Sequence, residues 1–390
     1  SQTAAQNIIR SNARTYNSFT YENQTDNYKQ QHFQLHWSQR LLDFWTMNFA
    51  THYTKGAGYY EEYKEDQTLA DYQLDDVVVG NDTIRTTNLV RQKWLDNDFY
   101  GITYSLNYNR NKDFSATLGG AYNIYDGDHF GKVVQAQFSS NNSSNKRYYG
   151  DNGLKKDFTI YAKANYQFNR HIALYADVQY RNVNYTFAGY NELLLPQEIG
   201  VVLNFINPKF GISYFLSANK TLYLSYAVAN KEPSRDDFVQ SSSVSRPMPE
   251  NLMNWEFGYI QKNKRYSYTF NTYYMKYKNQ LVLNGKINDV GAYNRSNVAD
   301  SYRFGIEWMN SIKIFKFLEW NANATWSMNK ISSFNEFIDN YDSSYQEVVK
   351  HSNSDISFSP SWVAGSQFVF TPIKNTSVSF SSKYVGEQYL

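Results

Sequence analysis

The sequence predicts an all-β fold, a transmembrane antiparallel up-and-down β-barrel of which about fourteen strands lie within the chain. Three observations predict it. Apolar and polar residues alternate with a period of two along nearly the whole length. Short and long connections take turns. The composition favours pleated surfaces and contains no apolar run long enough for a helix to cross a bilayer.

Composition comes first because it removes whole classes. Among 390 residues there are 36 Tyr and 26 Phe, and aromatics reach 18%. Aromatic and β-branched side chains suit strands. Mean hydropathy is −0.65. A spanning barrel tolerates such a value, since only every second residue meets lipid. A net charge of +2 with no basic stripe gives no support to nucleic acid as a partner. The chain has no cysteine, which rules out disulfides, thiolate metal sites and cysteine nucleophiles. Ser1-Gln2-Thr3-Ala4 does not resemble a signal peptide, so an export signal is expected outside these residues.

The alternation is clearest in Leu318, Trp320, Ala322, Ala324, Trp326 and Met328, separated by Glu319, Asn321, Asn323, Thr325 and Ser327. A strand puts the two sets on opposite faces. The same pattern places Phe114, Ala116, Leu118, Tyr122 and Ile124 on one face. It does so again for Phe158, Ile160, Ala162, Ala164, Tyr166 and Phe168, for Ile172, Leu174, Ala176 and Val178, and for Phe33, Leu35 and Trp37. These apolar sets hold no charge, whereas the opposite sets hold Glu319, Lys163, Asp177, His36 and His52. Trp37, Trp45, Phe158, Phe168, Trp308 and Trp320 suit an interfacial aromatic girdle.

Short polar turns are expected at 110–113, 169–171, 217–220, 262–265 and 372–375, and long connections at 61–93, 126–153, 231–250, 281–299 and 335–354. Tight turns at one end and long loops at the other distinguish a bacterial outer-membrane barrel from a soluble sandwich. No fixed repeat supports a solenoid or propeller. Lipid supplies no hydrogen-bond partners, so the strands must pair with one another. A Lys or Arg at mid-bilayer would cost about 2–4 kcal/mol, which keeps the outer face clean.

Several segments resemble the barrel of TonB-dependent outer-membrane receptors. They include Asn207-Pro208-Lys209-Phe210-Gly211, Ser225-Tyr226-Ala227 and Asn230-Lys231-Glu232-Pro233-Ser234-Arg235-Asp236-Asp237-Phe238. Pro249-Glu250-Asn251-Leu252 then leads into Trp255-Glu256-Phe257-Gly258-Tyr259, followed by Tyr302-Arg303-Phe304-Gly305-Ile306-Glu307 and Lys383-Tyr384-Val385-Gly386. The order strand, Glu-Pro-Ser-Arg-Asp, loop, Pro-Glu, strand is its most specific part. The resemblance implies a 22-stranded barrel with a plugged lumen. Residues 1–390 are then expected to be part of that barrel, with the plug domain and last strands outside them. It also implies a bacterial outer-membrane location and energised uptake of a bulky nutrient, a ferric siderophore or another iron chelate. The implied partners are the receptor's own plug domain, the TonB coupling protein, a chelate or vitamin ligand and outer-membrane lipid. A passive porin of 16–18 strands, or an adhesin-like barrel, is the alternative.

No enzyme emerges. His32 and His36 would stand about 13 Å apart on one strand face, too far to share a zinc ion. No nucleophile elbow or P-loop is present, and no cofactor is implied. Arg235 has two readings. It grips a carboxylate or an oxygen-rich chelate, or it braces the mouth of a strand pair through Asp236 or Asp237 neighbours; the bracing role is the one favoured. Arg246, Arg295 and Arg303 would offer charge to an anionic ligand. Tyr59, Tyr60, Tyr148, Tyr149, Tyr293 and Tyr341, in or beside long connections, are expected to pack loops or stack on ligand. The ligand-binding set read from the sequence is therefore Arg235, Asp236, Arg246, Tyr293, Arg295 and Arg303.

Overall fold

The computed structural model describes residues 21–139, 145–190, 196–239, 241, 246–287, 293–340 and 345–389. Its strands are β1 (Asp26–Leu42), β2 (Trp45–Thr68), β3 (Val77–Val79), β4 (Asp82–Ile84), β5 (Thr86–Asn109) and β6 (Phe114–Ala136). They continue as β7 (Lys146–Gln167), β8 (Ile172–Tyr190), β9 (Pro196–Ser217), β10 (Lys220–Lys231), β11 (Glu250–Lys262) and β12 (Tyr266–Ile287). The last are β13 (Tyr293–Phe315), β14 (Leu318–Asp339), β15 (Gln346–Asp355), β16 (Trp362–Ile373) and β17 (Thr376–Val385). Among the described residues one short α-helix, α1 (Arg235–Val239), lies between β10 and β11, and a single 3-10 turn (Leu69–Tyr72) follows β2.

Apart from the small β3–β4 hairpin, the strands form one antiparallel sheet in chain order. β15 pairs with the far half of β14 and β16 with its near half, so the two share one position beside it. Among the described residues the sheet thus has fourteen strand positions, in line with the periodicity.

Register confirms the two faces. Trp37 stands opposite Phe49, which is opposite Tyr104 on β5. Further round, Leu118 pairs with Ala162 and Ala162 with Val178. Leu224 pairs with Phe257, Phe257 with Thr272, Thr272 with Ile306 and Ile306 with Trp326. One outer face therefore runs through the sheet, uncharged through these central residues, with its charges, such as Lys55, Asp98 and Lys156, confined to the ends of the strands beyond them. His36, His52, Lys163, Asp177 and Glu319 fall in the opposite register set, on the concave lumen side. Aromatic rows edge the outer face. Near the tight turns Trp45 meets Tyr108 at 4.8 Å and Phe114 meets Tyr166 at 6.2 Å. Toward the other end Tyr226, Trp255 and Tyr274 follow one another at 5.1 and 5.8 Å. Trp37 lies between such rows, level in register with Phe49, rather than at a strand end.

The connections alternate as expected, but the long ones are mostly strand. β2 and β5 each have 24 residues and β6 has 23. About 9–11 residues cross a bilayer, so these strands stand well clear of it. Above the hydrocarbon both faces meet water or other protein, and the period-two signature fades while backbone pairing persists. Composition alone reads that stretch as loop. There Leu69, Tyr72, Leu74, Leu89, Val133, Tyr148 and Tyr149 pack into a small core that ties the β2–β5 connection to β6 and β7.

Tyrosines also lie flat along the lumen wall. Tyr223 covers Gly258 and Tyr273 covers Gly305, each directly opposite in register. A Cβ at either glycine would fall inside the ring's van der Waals envelope. These glycines let aromatic side chains hug the sheet and leave the lumen wide.

Two outcomes follow. Phe257→Lys, on the outer face, should block barrel assembly, whereas Asn323→Lys, on the lumen face, should be tolerated; heat-modifiable gel mobility reads both, and equal tolerance would contradict the assignment. Gly305→Val should displace Tyr273 and destabilise the barrel by about 1–3 kcal/mol in urea unfolding from bilayers.

Candidate functional site

The β10–β11 connection folds back inside the wall as a strap. Pro233 ends pairing at the mouth of β10, since proline has no N–H for the ladder, and is itself fully buried. Ser234 then caps α1. The Ser234 N–H and hydroxyl donate to Asp237 Oδ2, both at 2.7 Å, while the Asp237 N–H approaches Ser234 Oγ at 3.4 Å. This is a capping box with aspartate in the acidic position. Phe238 is buried against Phe187 and Ile199 of β8 and β9, which anchors the helix to the inner wall.

Three sets of ions tie the strap to strands on either side. Arg181 Nη1 donates to Glu232 Oε2 and Lys155 Nζ to Glu232 Oε1, each at 2.8 Å. Arg181 also grips Asp157 at 2.6 Å. Arg235 pairs with Asp151 of β7 and, at 3.5 Å, with its neighbour Asp236. On the far side, Arg295 of β13 donates to both oxygens of Asp237, at 2.8 and 2.5 Å. Burial alone would push the Glu232 carboxyl up; the bonds from Arg181 and Lys155 outweigh it and pull its pKa down to about 2. Asp237 is lowered in the same way, burial opposing and Arg295 and Ser234 prevailing.

Lower on the wall the chemistry changes. Glu256 and Glu307 face the lumen from β11 and β13. Asn254 donates to Glu256 at 2.7 Å and Asn271 to Glu307 at 3.1 Å. Tyr223 donates to Asn271 at 3.0 Å. Among the described residues neither glutamate has a cation within ion-pair distance.

Of the residues read from the sequence, the structure brings Arg235, Asp236 and Arg295 to the strap, with Arg235 and Arg295 engaged in ion pairs that brace it. Asp236 is mostly exposed at its surface. Arg303 stands apart, on the lumen face of β13, donating to Ser359 at 2.9 Å and Asn329 at 3.3 Å. Arg246 is exposed and, among the described residues, takes part in none of the strap's ion pairs named above. Tyr293 is placed by its backbone opposite Ile287, and its side chain lies outside the described residues, as does Tyr341. Tyr148 and Tyr149 are buried in the small core, and Tyr59 packs on Trp94 at 4.6 Å on the outer side. The sequence reading missed Lys155, Arg181, Glu256 and Glu307. Parity was the available signal: each belongs to the lumen set of its strand.

The strap should respond to acid. The bonds from Arg181 and Lys155 hold the Glu232 carboxyl at about 2, below the 4.5 of a free glutamate, so its contribution is whole above the higher value and lost as pH falls through the lower. Hydrogen exchange of residues 232–239, corrected for intrinsic rates, should stay slow at pH 5 and quicken toward pH 2. Glu232→Gln should quicken it throughout. Unchanged protection in the variant would contradict the clamp.

A family model described as "TonB dependent receptor-like, beta-barrel" matches residues 2–389. No curated protein sequence matches the chain. Among solved structures, the ferric-catecholate import receptor Fiu of E. coli K12 superposes with TM-score 0.63 at 16% identity, covering 95% of this chain and 55% of that one. The siderophore receptor PiuA of Acinetobacter baumannii gives 0.65 at 12%, covering 93% and 55%. The copper transporter OprC gives 0.64 at 11%, covering 90% and 59%. The chain therefore spans little more than half the length of the structures it resembles. With its sheet, its two faces and this match over nearly every residue, the chain belongs to the TonB-dependent receptor β-barrel family of the bacterial outer membrane.

Proposed function

We propose that the chain forms the barrel wall of an active importer of a ferric siderophore or similar iron chelate, with a plug domain inside the lumen and TonB driving its release. Glu256 and Glu307 carry the reading. Two carboxylates on a lumen wall, held by neutral Asn side chains, call for a cationic partner within. A plug carrying arginines would supply it, whereas an open porin would leave the charges to water. The structural likeness to the receptors Fiu and PiuA, and to the ferric preacinetobactin receptor BauA, supports the ligand class. The braced strap supports it too, by narrowing the mouth of the lumen with ion pairs to β7, β8 and β13.

Deleting the whole receptor gene should impair growth of iron-starved cells on at least one ferric chelate in a screen that includes vitamin B12. Unchanged growth across the screen would contradict the iron reading. The plug reading has its own test. The double variant Glu256→Gln, Glu307→Gln should admit large antibiotics and raise single-channel conductance over a nearly closed wild type. An open channel of equal conductance in both would indicate a porin.

A further inference from the structure

The end of the barrel that carries the tight turns is strongly basic. Arg110 and Lys112 stand in the β5–β6 turn, and Arg170 in the β7–β8 turn. Lys264 and Arg265 stand in the β11–β12 turn, Lys316 between β13 and β14, and Lys374 between β16 and β17. All of them are exposed. The acids in the tight turns are Asp43 and Asp113, and Asp43 already pairs with Arg40 at 3.4 Å. Among the described residues that is the one ion pair at this end. The whole chain carries only +2, so the excess is a matter of placement.

The turns themselves do not need these charges. In the β5–β6 turn Asn111 Oδ1 accepts from the N–H groups of Asp113 and Phe114, at 3.2 and 2.9 Å. Asn169 Oδ1 does the same for His171 and Ile172, at 2.8 and 3.0 Å. Asparagine reverses the chain in both places, and the neighbouring cations are left for another partner.

Their height identifies that partner. Short connections keep each cation within a few residues of the outer-face aromatic row, whose rings lie at the level of lipid headgroups. The Arg110 guanidinium lies 5.8 Å from the Phe44 ring centroid, and Phe44 meets Tyr108 at 5.4 Å. Arg170 follows Phe168, which packs on Tyr166 at 6.2 Å. Lys316 is flanked by Phe315 and Phe317, stacked at 5.4 Å, and Phe317 meets Phe370 at 5.7 Å. The cations are also spread along the rim from β5 to β17 instead of gathering at one side. A protein partner docks on one patch; a lipid annulus meets every turn alike.

We infer that the tight-turn rim is an interaction surface for anionic phospholipid headgroups of the periplasmic leaflet. The aromatic rings fix the height of the barrel in the hydrocarbon boundary, and the lysines and arginines beside them hold the phosphates there. Each cation at an anionic surface adds to the attraction, which salt screens within a Debye length. The rim thereby selects acidic lipid over zwitterionic lipid and fixes the depth of the periplasmic end.

The test uses the full-length receptor in bilayers, with spin-labelled phosphatidylglycerol and phosphatidylcholine reporting the lipid bound at the protein boundary. The wild type should prefer phosphatidylglycerol about fivefold at low salt, falling toward equality near 1 M, where the Debye length is about 3 Å. Arg110→Gln, Lys112→Gln, Lys264→Gln and Arg265→Gln combined should remove about half of the preference, with folding checked by heat-modifiable gel mobility. Exchanging the first pair, Arg110→Lys with Lys112→Arg, should keep it, since charge and not side-chain identity is at work. Lys350→Gln, on β15 at the opposite end, should match the wild type. Equal binding of both lipids by the wild type, or a full preference in the folded fourfold variant, would overturn the inference. Retention on purified peptidoglycan that the fourfold variant loses, without any lipid preference, would also overturn it and give the rim to the cell wall.

Discussion

A peptide group in hydrocarbon has no water to bond, and each one left unsatisfied costs several kcal/mol. Every strand segment in the lipid belt must therefore give its N–H and C=O groups to neighbouring strands. The antiparallel ladder from β1 to β17 does this, and its short turns keep successive strands adjacent. Once the backbone is committed to a sheet between two solvents, the side chains have no freedom of pattern. Alternate residues must be apolar for lipid, and the others are released for the lumen. The clean outer face through Leu224, Phe257, Thr272, Ile306 and Trp326 and the polar inner face beside it are two consequences of one constraint.

That release lets one wall carry different chemistries at different heights. Near the extracellular mouth, charges are paired and shielded: Glu232 with Lys155 and Arg181, Asp237 with Arg295, Arg235 with Asp151. Such pairs brace a short strap without needing a large apolar core beneath it. Phe238 on Phe187 and Ile199 adds the one greasy anchor. Lower down, Glu256 and Glu307 accept bonds from amides and, among the described residues, have no cation beside them. Paired charges suit a fixed part of the wall, and unpaired ones suit a surface that something else must meet.

Much of this was legible in the sequence, for stated reasons. The lipid-facing residues were identifiable because hydrocarbon tolerates no exceptions, so Trp320 to Met328 announce a strand by themselves. The tight turns at 110–113 and 262–265 were visible because turn chemistry is local. The upper halves of β2, β5, β6 and β7 were not, because both their faces avoid lipid and alternation disappears. The bracing role of Arg235 was anticipated from its acidic neighbours, but its main partner, Asp151, lies 84 positions away and had no local signal. Arg295, a candidate ligand contact from its sequence position, pairs with Asp237, 58 positions away and equally without a local signal. Distant ion pairs of this kind are set by strand register, which a single sequence does not print.

The central claim is that neighbouring residues on one strand face different solvents. The chain has no cysteine, so a single spin-labelled cysteine can be moved along β11 from Met253 to Tyr259 in the receptor reconstituted into bilayers. Collision with lipid-dissolved oxygen should rise at 253, 255, 257 and 259 and fall at the positions between. Oxygen accessibility that varies smoothly, or peaks at 254, 256 and 258, would contradict the account.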